Sequence, residues 1–505
     1  MSRTTNSIRN IKYAVIGQIL VILLTFLTRI FFVRTLSADY LGINGLFTNI
    51  LSMLSLAELG VGTAINYSLY RPLAFGDQEK VKSLMRLYKK AYFIIGAIVA
   101  ILGVSLTPFL GLFFKMLPDI AYLQLIYIMF VANSAISYFF SYKRALIIAD
   151  QKSYISSLYS YSSTILMNLA QIGVLVIFGN FLIFLGLQIV KTLLENFLIS
   201  RKADRIYPYL KEKTILPLEK EEKDKIKKNV KALITHKVGY VIVMGTDNLL
   251  ISKLVGIVAV GIYSNYLLII NSLNHLVTLV FGALTSSIGN LGETEVEDKK
   301  YFVFRCINLM TFWIYGLASI CLFLMFNPFI KIWLGSEYLF SSSLVFLIVF
   351  NFFIGGMRKG VITFKDAFGL YWQDRYKPIV ESIINLIASI ILAIKLGTAG
   401  IFLGTAISTL TTSFWIEPYV LHKHGLNKKL LPYFKSYGLY GALVLLAGGI
   451  SWLAWNALSM DGILGLILTL VIALAVSNAV FILALYRTPE FKHLFAILKS
   501  RLLKR

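Results

Sequence analysis

Cysteine and charge are both scarce in this sequence. Among 505 residues there are two cysteines, Cys306 and Cys321, and charged residues make up only 15% of the chain. Two thiols in or beside one predicted helix form neither a disulfide framework nor a metal site, so packing is their expected role. A soluble chain of this length carries about a quarter charged residues. The shortage of charge therefore argues against a soluble protein.

Catalytic patterns are absent as well. No Ser-His-Asp set, HExxH motif, Walker motif or GxGxxG turn occurs in a context that could use it. His236 and His275 are isolated, and His422 and His424 stand at a predicted helix end, where interfacial packing is expected. We therefore expect no enzyme activity, no metal and no cofactor, which leaves transport or scaffolding as the function classes to separate.

Long apolar runs are what the sequence has in place of charge. The chain is 57% hydrophobic, with a mean hydropathy of +0.75. Since roughly 20 consecutive apolar residues cross the hydrocarbon layer, the pattern predicts an all-α polytopic membrane protein. The first run is too long for a cleavable signal peptide and is predicted to be an uncleaved span. The apolar runs and turn signals predict about 14 spans, at 13–36, 41–68, 91–114, 119–142, 154–178, 180–199, 232–255, 258–290, 304–330, 339–362, 376–396, 398–421, 434–457 and 462–486.

These spans predict two six-helix lobes and three smaller segments. Spans 1–6 form an N-terminal lobe over residues 1–199, and spans 7–12 form a C-terminal lobe over residues 232–423. A mixed-charge cytoplasmic linker covers 200–231, and an accessory pair of spans covers 424–486. The tail, 487–505, has apolar residues at helical spacing and is predicted to be an interfacial amphipathic helix.

The basic residues test the number of spans. An even number places both termini on one side, and nearly all of the 49 Lys and Arg residues fall on that side, with Lys191 counted in the flank of the linker. The positive-inside rule makes this side cytoplasmic. The formal charge of +24 therefore reports topology rather than nucleic-acid binding. Arg29 alone is assigned to neither surface, and the opposite side carries Arg34, Lys115, Lys253, Lys331 and Lys395.

A weak internal repeat relates the first hairpins of the two lobes. When "FVRTLSADYLGINGLF" is set against "ISKLVGIVAVGIYSNY", Arg34 aligns with Lys253, and the Gly-Ile pair at 42–43 aligns with the pair at 261–262. Because each half has six spans, the repeats are expected to run parallel, related by a pseudo-two-fold axis along the membrane normal. In such an arrangement, substrate is expected to bind between the halves.

Arg29 interrupts the first apolar run, in "LLTFLTRIFFVRT". An ionisable group costs roughly 2.5–3.5 kcal/mol at the centre of a membrane helix, so this charge needs a reason. One hypothesis is structural, with Arg29 snorkelling to the outer edge or pairing with Glu58 or Asp247. The other is a water-filled cavity that attracts anions, because a guanidinium matches the oxygens of a phosphate or pyrophosphate.

Two predicted spans also carry polar stripes at helical spacing. Asn44 and Asn66 belong to the stripe on span 2, and Asn271 and Asn274 to the stripe on span 8. Close helix packing is one explanation for the small and hydroxyl-bearing members of both stripes. The other is a polar cavity, for which the four asparagines, with Arg29, Arg34 and Lys253, are the candidate substrate-binding residues.

A carboxylate within a span needs a partner, a proton or water. Glu58 in span 2 and Asp247 in span 7 are such carboxylates. Each is therefore a candidate proton or sodium site that would drive transport.

Three stretches resemble bacterial polysaccharide repeat-unit flippases. They are "TLSADYLGINGLFTNILSMLSLAELGVGTAINYSLYRPLAFGDQEKVKSLMRLYKKAY", "TDNLLISKLVGIVAVGIYSNYLLIINSL" and "FKDAFGLYWQDRYKPIVESIINLIASIILAIKLGTAGIFLGTAISTLTTSFWIEPYVLHKHG". The third is the most specific, and is similar to capsule and exopolysaccharide flippases of Gram-positive bacteria. These flippases belong to the multidrug/oligosaccharidyl-lipid/polysaccharide exporter superfamily, and the resemblance covers residues 10–430.

The resemblance implies transport of an undecaprenyl-pyrophosphate-linked oligosaccharide to the outer leaflet of a bacterial plasma membrane. It implies a cationic cavity between two lobes, in which Arg29 corresponds to the expected arginine. Some relatives carry more basic residues than this sequence offers, so most of the anion binding would fall to Arg29, with Arg34 and Lys253 near the mouth. The implied partners are this substrate and membrane lipids, with polysaccharide polymerase and glycosyltransferases left open.

Two other functions stay open at this point. A drug or metabolite antiporter of the same superfamily would have a narrow, apolar cavity, and such relatives usually have fewer spans. A non-transporting scaffold would recruit glycan enzymes through the linker and the tail. The scaffold would tolerate the loss of Arg29 and Glu58 but not the deletion of 200–230.

Overall fold

Every regular element that the structure describes is helical. The computed structural model describes residues 3–58, 61–212, 214–224, 226–227, 230, 245–458, 460 and 462–502. In chain order, helices α1 to α7 are Arg3–Thr35, Ala38–Leu54, Val61–Phe75, Gln78–Ser105, Leu123–Ala149, Ser153–Phe178 and Phe181–Ile206. Helices α8 to α17 are Ile257–Thr294, Glu297–Trp333, Ser342–Met357, Lys359–Ala367, Lys377–Leu396, Thr398–Thr411, Ser413–Leu421, Leu431–Leu458, Gly462–Leu485 and Pro489–Leu502.

Eleven helical segments within the described residues are long and apolar enough to cross a membrane, or twelve if the bent helix α5 is one span. This confirms an all-α protein with many candidate membrane spans. The finer expectation of about 14 spans stays a prediction. Two of the expected segments account for most of the difference, because 41–68 is interrupted and 232–255 lies largely outside the described residues.

The interruption separates α2 from α3. α2 ends at Leu54, a 3-10 turn covers Ser55–Glu58, and α3 begins at Val61. The hydroxyl of Ser55 donates to the carbonyl of Ser52 (2.6 Å), a local bond that competes with regular helix. The expected continuous polar face from Asn44 to Asn66 is therefore not formed, and Glu58 lies in a turn rather than in mid-helix.

The turn between α6 and α7 shows how the sequence ends and starts helices. Gly179 ends α6 with a φ of +56°, which glycine adopts without steric cost. The next residue, Asn180, caps α7, since its side-chain oxygen accepts from the backbone N–H groups of Leu182 (2.8 Å) and Ile183 (3.2 Å). The predicted break between spans 154–178 and 180–199 is thus confirmed.

The chain divides into two compact units, Met1–Ser264 (unit 1) and Asn265–Arg505 (unit 2). The division falls within α8, so the described end of the predicted span 232–255 belongs to unit 1. The predicted lobe boundaries at 199 and 232 are not tested by this division and stay predictions.

Each unit has its own core. A cluster in unit 1 is built on Tyr88, Tyr92 and Leu146. In unit 2, Phe312 on α9 stacks on Tyr440 of α15 (ring centroids 4.2 Å apart) and contacts Phe481 of α16 (4.6 Å). The two helices predicted as an accessory pair therefore pack on α9.

The two hairpins that the sequence repeat aligns contact each other reciprocally inside unit 1. A Cβ atom on Gly42 would lie 2.2 Å from the carbonyl oxygen of Ile257, and one on Gly261 would lie 2.5 Å from that of Ala38. Ala38 and Ile257 stand one helical turn before the aligned glycines. The contact is therefore the same in both directions, as packing about a local two-fold axis requires. Only glycine allows the backbones this close.

Candidate functional site

A polar cavity of about 240 Å³ lies among α1, α2, α6 and α7 of unit 1. Its polar lining comes from all four helices, with two cations and, among the described lining residues, no carboxylate. The polar residues are Thr25, Thr28 and Arg29 of α1, Asn44 of α2, Thr164, Asn168 and Gln171 of α6, and Gln188 and Lys191 of α7. Such a concentration of polar groups among membrane-length helices marks a candidate binding site.

Arg29 is held in this cavity by a neutral group. Its Nη1 donates to the hydroxyl of Ser264 on α8 (3.1 Å). Within the part of the chain that the structure describes, no carboxylate lies at ion-pair distance from Arg29, so the expected alternative of a pair with Glu58 or Asp247 is not found. The described residues of unit 1 therefore leave the positive charge of Arg29 without a countercharge.

Lys191 is the second cation, and the sequence prediction misplaced it. We assigned it to the cytoplasmic flank of the linker, but it lies within α7, well before that helix ends at Ile206. Its Nζ is 3.0 Å from Oε2 of Glu195, whose Oε1 is 2.5 Å from Nη2 of Arg144. The signal was present, because Lys191 and Glu195 interrupt "FLIFLGLQIVKTLLENFLIS" just as Arg29 interrupts its own run.

Neutral groups complete the lining. The hydroxyl of Thr28 donates to Oδ1 of Asn168 (3.3 Å). Asn168 is only 7% exposed, and its Nδ2 has no hydrogen-bond partner among the described residues. A buried donor without an acceptor costs about 1–3 kcal/mol. A ligand that brings acceptor oxygens into the cavity would recover part of that energy.

The other predicted unit 1 residues lie outside this cavity. Arg34 is exposed at the end of α1. Lys253, in a π-helical turn at Ile251–Val255, donates from Nζ to the carbonyl of Phe114 (3.2 Å). Asn66 lies on α3, and its buried Oδ1 has no hydrogen-bond partner among the described residues. Of the predicted binding set, the structure therefore brings only Asn44 into the same cavity as Arg29.

The predicted residues of α8 belong to unit 2. The side-chain oxygen of Asn274 accepts a hydrogen bond from the hydroxyl of Tyr315 (3.3 Å), so this oxygen already has a partner within unit 2. Asn271 is exposed. Neither the hydrogen bond of Asn274 nor the exposure of Asn271 indicates a ligand by itself.

The two carboxylates proposed for ion coupling lie in unit 1. Glu58 accepts from the hydroxyl of Tyr92 (2.5 Å), at the break before α3. The hydroxyl of Tyr88 donates to the carbonyl of Gly62 beside it (3.3 Å). Asp247 is half-buried in a helical segment and lies within electrostatic reach of Tyr263. Breaks in membrane helices line the ion sites of many transporters, and Glu58 lies at such a break.

Unit 2 contains a buried ionic network that was not predicted from the sequence. Nε and Nη2 of Arg358 donate to the two oxygens of Glu417 (2.9 and 2.8 Å), and Lys377 also pairs with Glu417. Nη1 of Arg358 is 3.5 Å from Glu381, which accepts from the hydroxyl of Ser413 (2.6 Å). Glu417 is 2% exposed. Glu381 and Glu417 were detectable as carboxylates inside apolar runs, but their partners were not.

The fold is shared with known transporters. The chain is similar to the lipid II flippase MurJ in an inward closed conformation, with a TM-score of 0.62 and 13% identity, over 94% of this chain and 99% of that chain. It is similar to an inward-facing multidrug resistance MATE family transporter of the MOP superfamily, with a TM-score of 0.58 and 15% identity, over 80% and 94%. A MATE transporter of Vibrio cholerae gives 0.58 and 12%, over 85% and 99%. Comparisons with family models and with curated proteins found no match.

Proposed function

We propose that this protein is a flippase of a bacterial plasma membrane. Its substrate would be an undecaprenyl-pyrophosphate-linked oligosaccharide repeat unit, moved from the cytoplasmic to the outer leaflet by alternating access for capsule or exopolysaccharide assembly. The observation that carries this proposal is the cavity of unit 1, where Arg29 has a neutral partner and Lys191 adds a second cation.

The chemistry of the cavity suits a pyrophosphate. A planar guanidinium, an ammonium and the unsatisfied amide of Asn168 are donors, and a pyrophosphate presents several acceptor oxygens. Since the described residues give Arg29 a hydroxyl and no carboxylate as its partner, an incoming anion would replace Ser264 and would not compete with a carboxylate. A volume of about 240 Å³ is below the usual range of about 300–1,000 Å³ for small-molecule sites, so the cavity suits the charged group and not a whole glycan.

The alternative of a drug or metabolite antiporter has the support of the MATE-like fold. A cationic drug, however, would be repelled by Arg29 and Lys191, and the lining is polar rather than apolar. The likeness to a lipid II flippase over nearly the whole of both chains supports a lipid-linked substrate instead. A scaffold that does not transport would have no use for a cavity charge.

The decisive test is substitution of Arg29 in cells that export the glycan. We expect Arg29→Ala to abolish surface glycan while its membrane level stays normal, and lipid-linked oligosaccharide to accumulate inside. Arg29→Lys keeps the charge but loses the planar donors, so intermediate export is expected. Arg487→Ala, at an exposed arginine of unit 2, is the matched control and should export normally. Normal export by Arg29→Ala would leave Arg29 with a structural role and remove the basis of the proposal.

A further inference from the structure

Unit 1 contains a second concave region of about 680 Å³, which shares no lining residue with the Arg29 cavity. It lies among α4, α5, the C-terminal end of α7 and the segment that follows α7. Six basic residues line it, Lys82, Arg86, Lys89, Lys90, Lys143 and Lys211, against one carboxylate, Asp204. We call this region the basic pocket.

Internal ion pairs account for two of these six cations. Lys143 holds both oxygens of Asp204 at 2.8 Å. Lys82, which is 3% exposed, is paired with Glu79 and Glu212, each at 2.6 Å. The one carboxylate among the described lining residues, Asp204, is therefore already paired.

The remaining four cations have no ion pair or hydrogen bond within the described residues. They are Arg86, Lys89, Lys90 and Lys211, all exposed. Scattered surface lysines repel one another little, but four uncompensated charges around one concavity create a positive potential that attracts an anion.

The position of the basic pocket along α4 specifies the kind of anion. All the charges of α4 lie between Gln78 and Lys90, and the stretch 91–105 has none. Phe93 and Ile94, the first large apolar residues of that stretch, also line the pocket, and they are 61% and 47% exposed. The pocket therefore opens where the helix passes from polar surroundings into the hydrocarbon layer.

We propose that the basic pocket binds the phosphate head group of an anionic phospholipid of the surrounding bilayer. Lys89, Lys90 and Arg86 contact the phosphate, and the acyl chains lie along Phe93 and Ile94. Basic pockets between membrane helices at this level bind such head groups. A free phosphate or pyrophosphate would use the cations but would leave the apolar rim uncovered.

The test measures lipid retained by the purified full-length protein in nanodiscs of phosphatidylcholine with phosphatidylglycerol, by native mass spectrometry. Each cation near the surface contributes about fivefold, so Lys89→Gln with Lys90→Gln should weaken phosphatidylglycerol retention about 25-fold. The control, Lys492→Gln with Lys499→Gln, removes the same charge from exposed positions of α17 and should retain the lipid like the parent. Arg86→Gln with Lys211→Gln, on two different segments, should reproduce the loss independently of any local misfolding.

Three outcomes would overturn the proposal. The first is equal retention by the parent and both pocket variants, and the second is an equal loss in the α17 control, which would mean general surface attraction. The third is displacement of phosphatidylglycerol by millimolar inorganic pyrophosphate that stabilises the protein against thermal unfolding as much as the lipid does. That result would assign the pocket to a free anion. The assay involves no transport, so its failure would leave the proposed flippase function intact.

Discussion

Arg29 in unit 1 and Arg358 in unit 2 are both arginines within helical, largely apolar surroundings, but their partners differ in charge. Arg358 makes two hydrogen bonds to Glu417 and approaches Glu381. Arg29 donates to one hydroxyl, that of Ser264. An arginine that pairs with buried carboxylates balances their charge, so its loss leaves them uncompensated, whereas an arginine with a neutral partner keeps its charge for a ligand.

The neighbouring residues extend this contrast. Arg358 and Lys377 both face two carboxylates, Glu417 and Glu381, so the network of unit 2 is internally compensated. In the cavity of unit 1, Lys191 shares Glu195 with Arg144, and two cations therefore divide one carboxylate. The unit 1 site has an excess of positive charge, which an anionic substrate would balance.

The largest expected effect is a difference in stability between variants of the two arginines. Arg358→Met leaves the buried Glu417 with Lys377 alone, and breaking a buried pair costs about 3–5 kcal/mol. Arg29→Met strands no carboxylate and should cost about 1 kcal/mol or less. Thermal unfolding of the two purified variants measures the difference. Equal destabilisation would show that Arg29 is as structural as Arg358 and would break the comparison.

A smaller effect is expected at the second cavity cation. Lys191→Met removes a charged donor, and a hydrogen bond to a charged group contributes about 1.5–3 kcal/mol, so export should fall about tenfold or more. Glu195 keeps Arg144, which limits the structural damage. Arg144→Met removes the other partner of Glu195 outside the cavity and is the matched control. If Arg144→Met lowers export as much as Lys191→Met at equal membrane levels, Lys191 acts through Glu195 and not on the substrate.

The smallest effect concerns coupling and not transport itself. Glu58→Gln and Asp247→Asn remove the carboxylates that are candidates for binding a proton or sodium, so export should become less dependent on the ion gradients. Glu337→Gln, at an exposed carboxylate, is the control. The measurement is glycan export after collapse of the proton or the sodium gradient. Variants that respond to both gradients like the parent would show these coupling roles to be wrong.

The sequence alone determined the features that depend on composition and on near neighbours along the chain. Apolar runs predicted membrane-length helices, and Gly179 followed by Asn180 ended one helix and capped the next. Arg29 was identifiable because a permanent charge inside an apolar run is costly wherever the helix packs. The aligned glycines at 42 and 261 pointed to a repeat, which the reciprocal contact supports at that hairpin.

Only the tertiary structure decided which charges are compensated. Arg358 and Glu417 are 59 residues apart in sequence, and their bidentate pairing depends on how two helices pack. The same holds for Lys191. It was wrongly placed with the linker, because a count of charges does not show which face of α7 lines a cavity. The break at Ser55–Glu58 also escaped prediction, since the polar stripe across it had regular helical spacing. Hydropathy specifies how much of a helix is apolar, but the partners of its few charges are set by packing between helices distant in sequence.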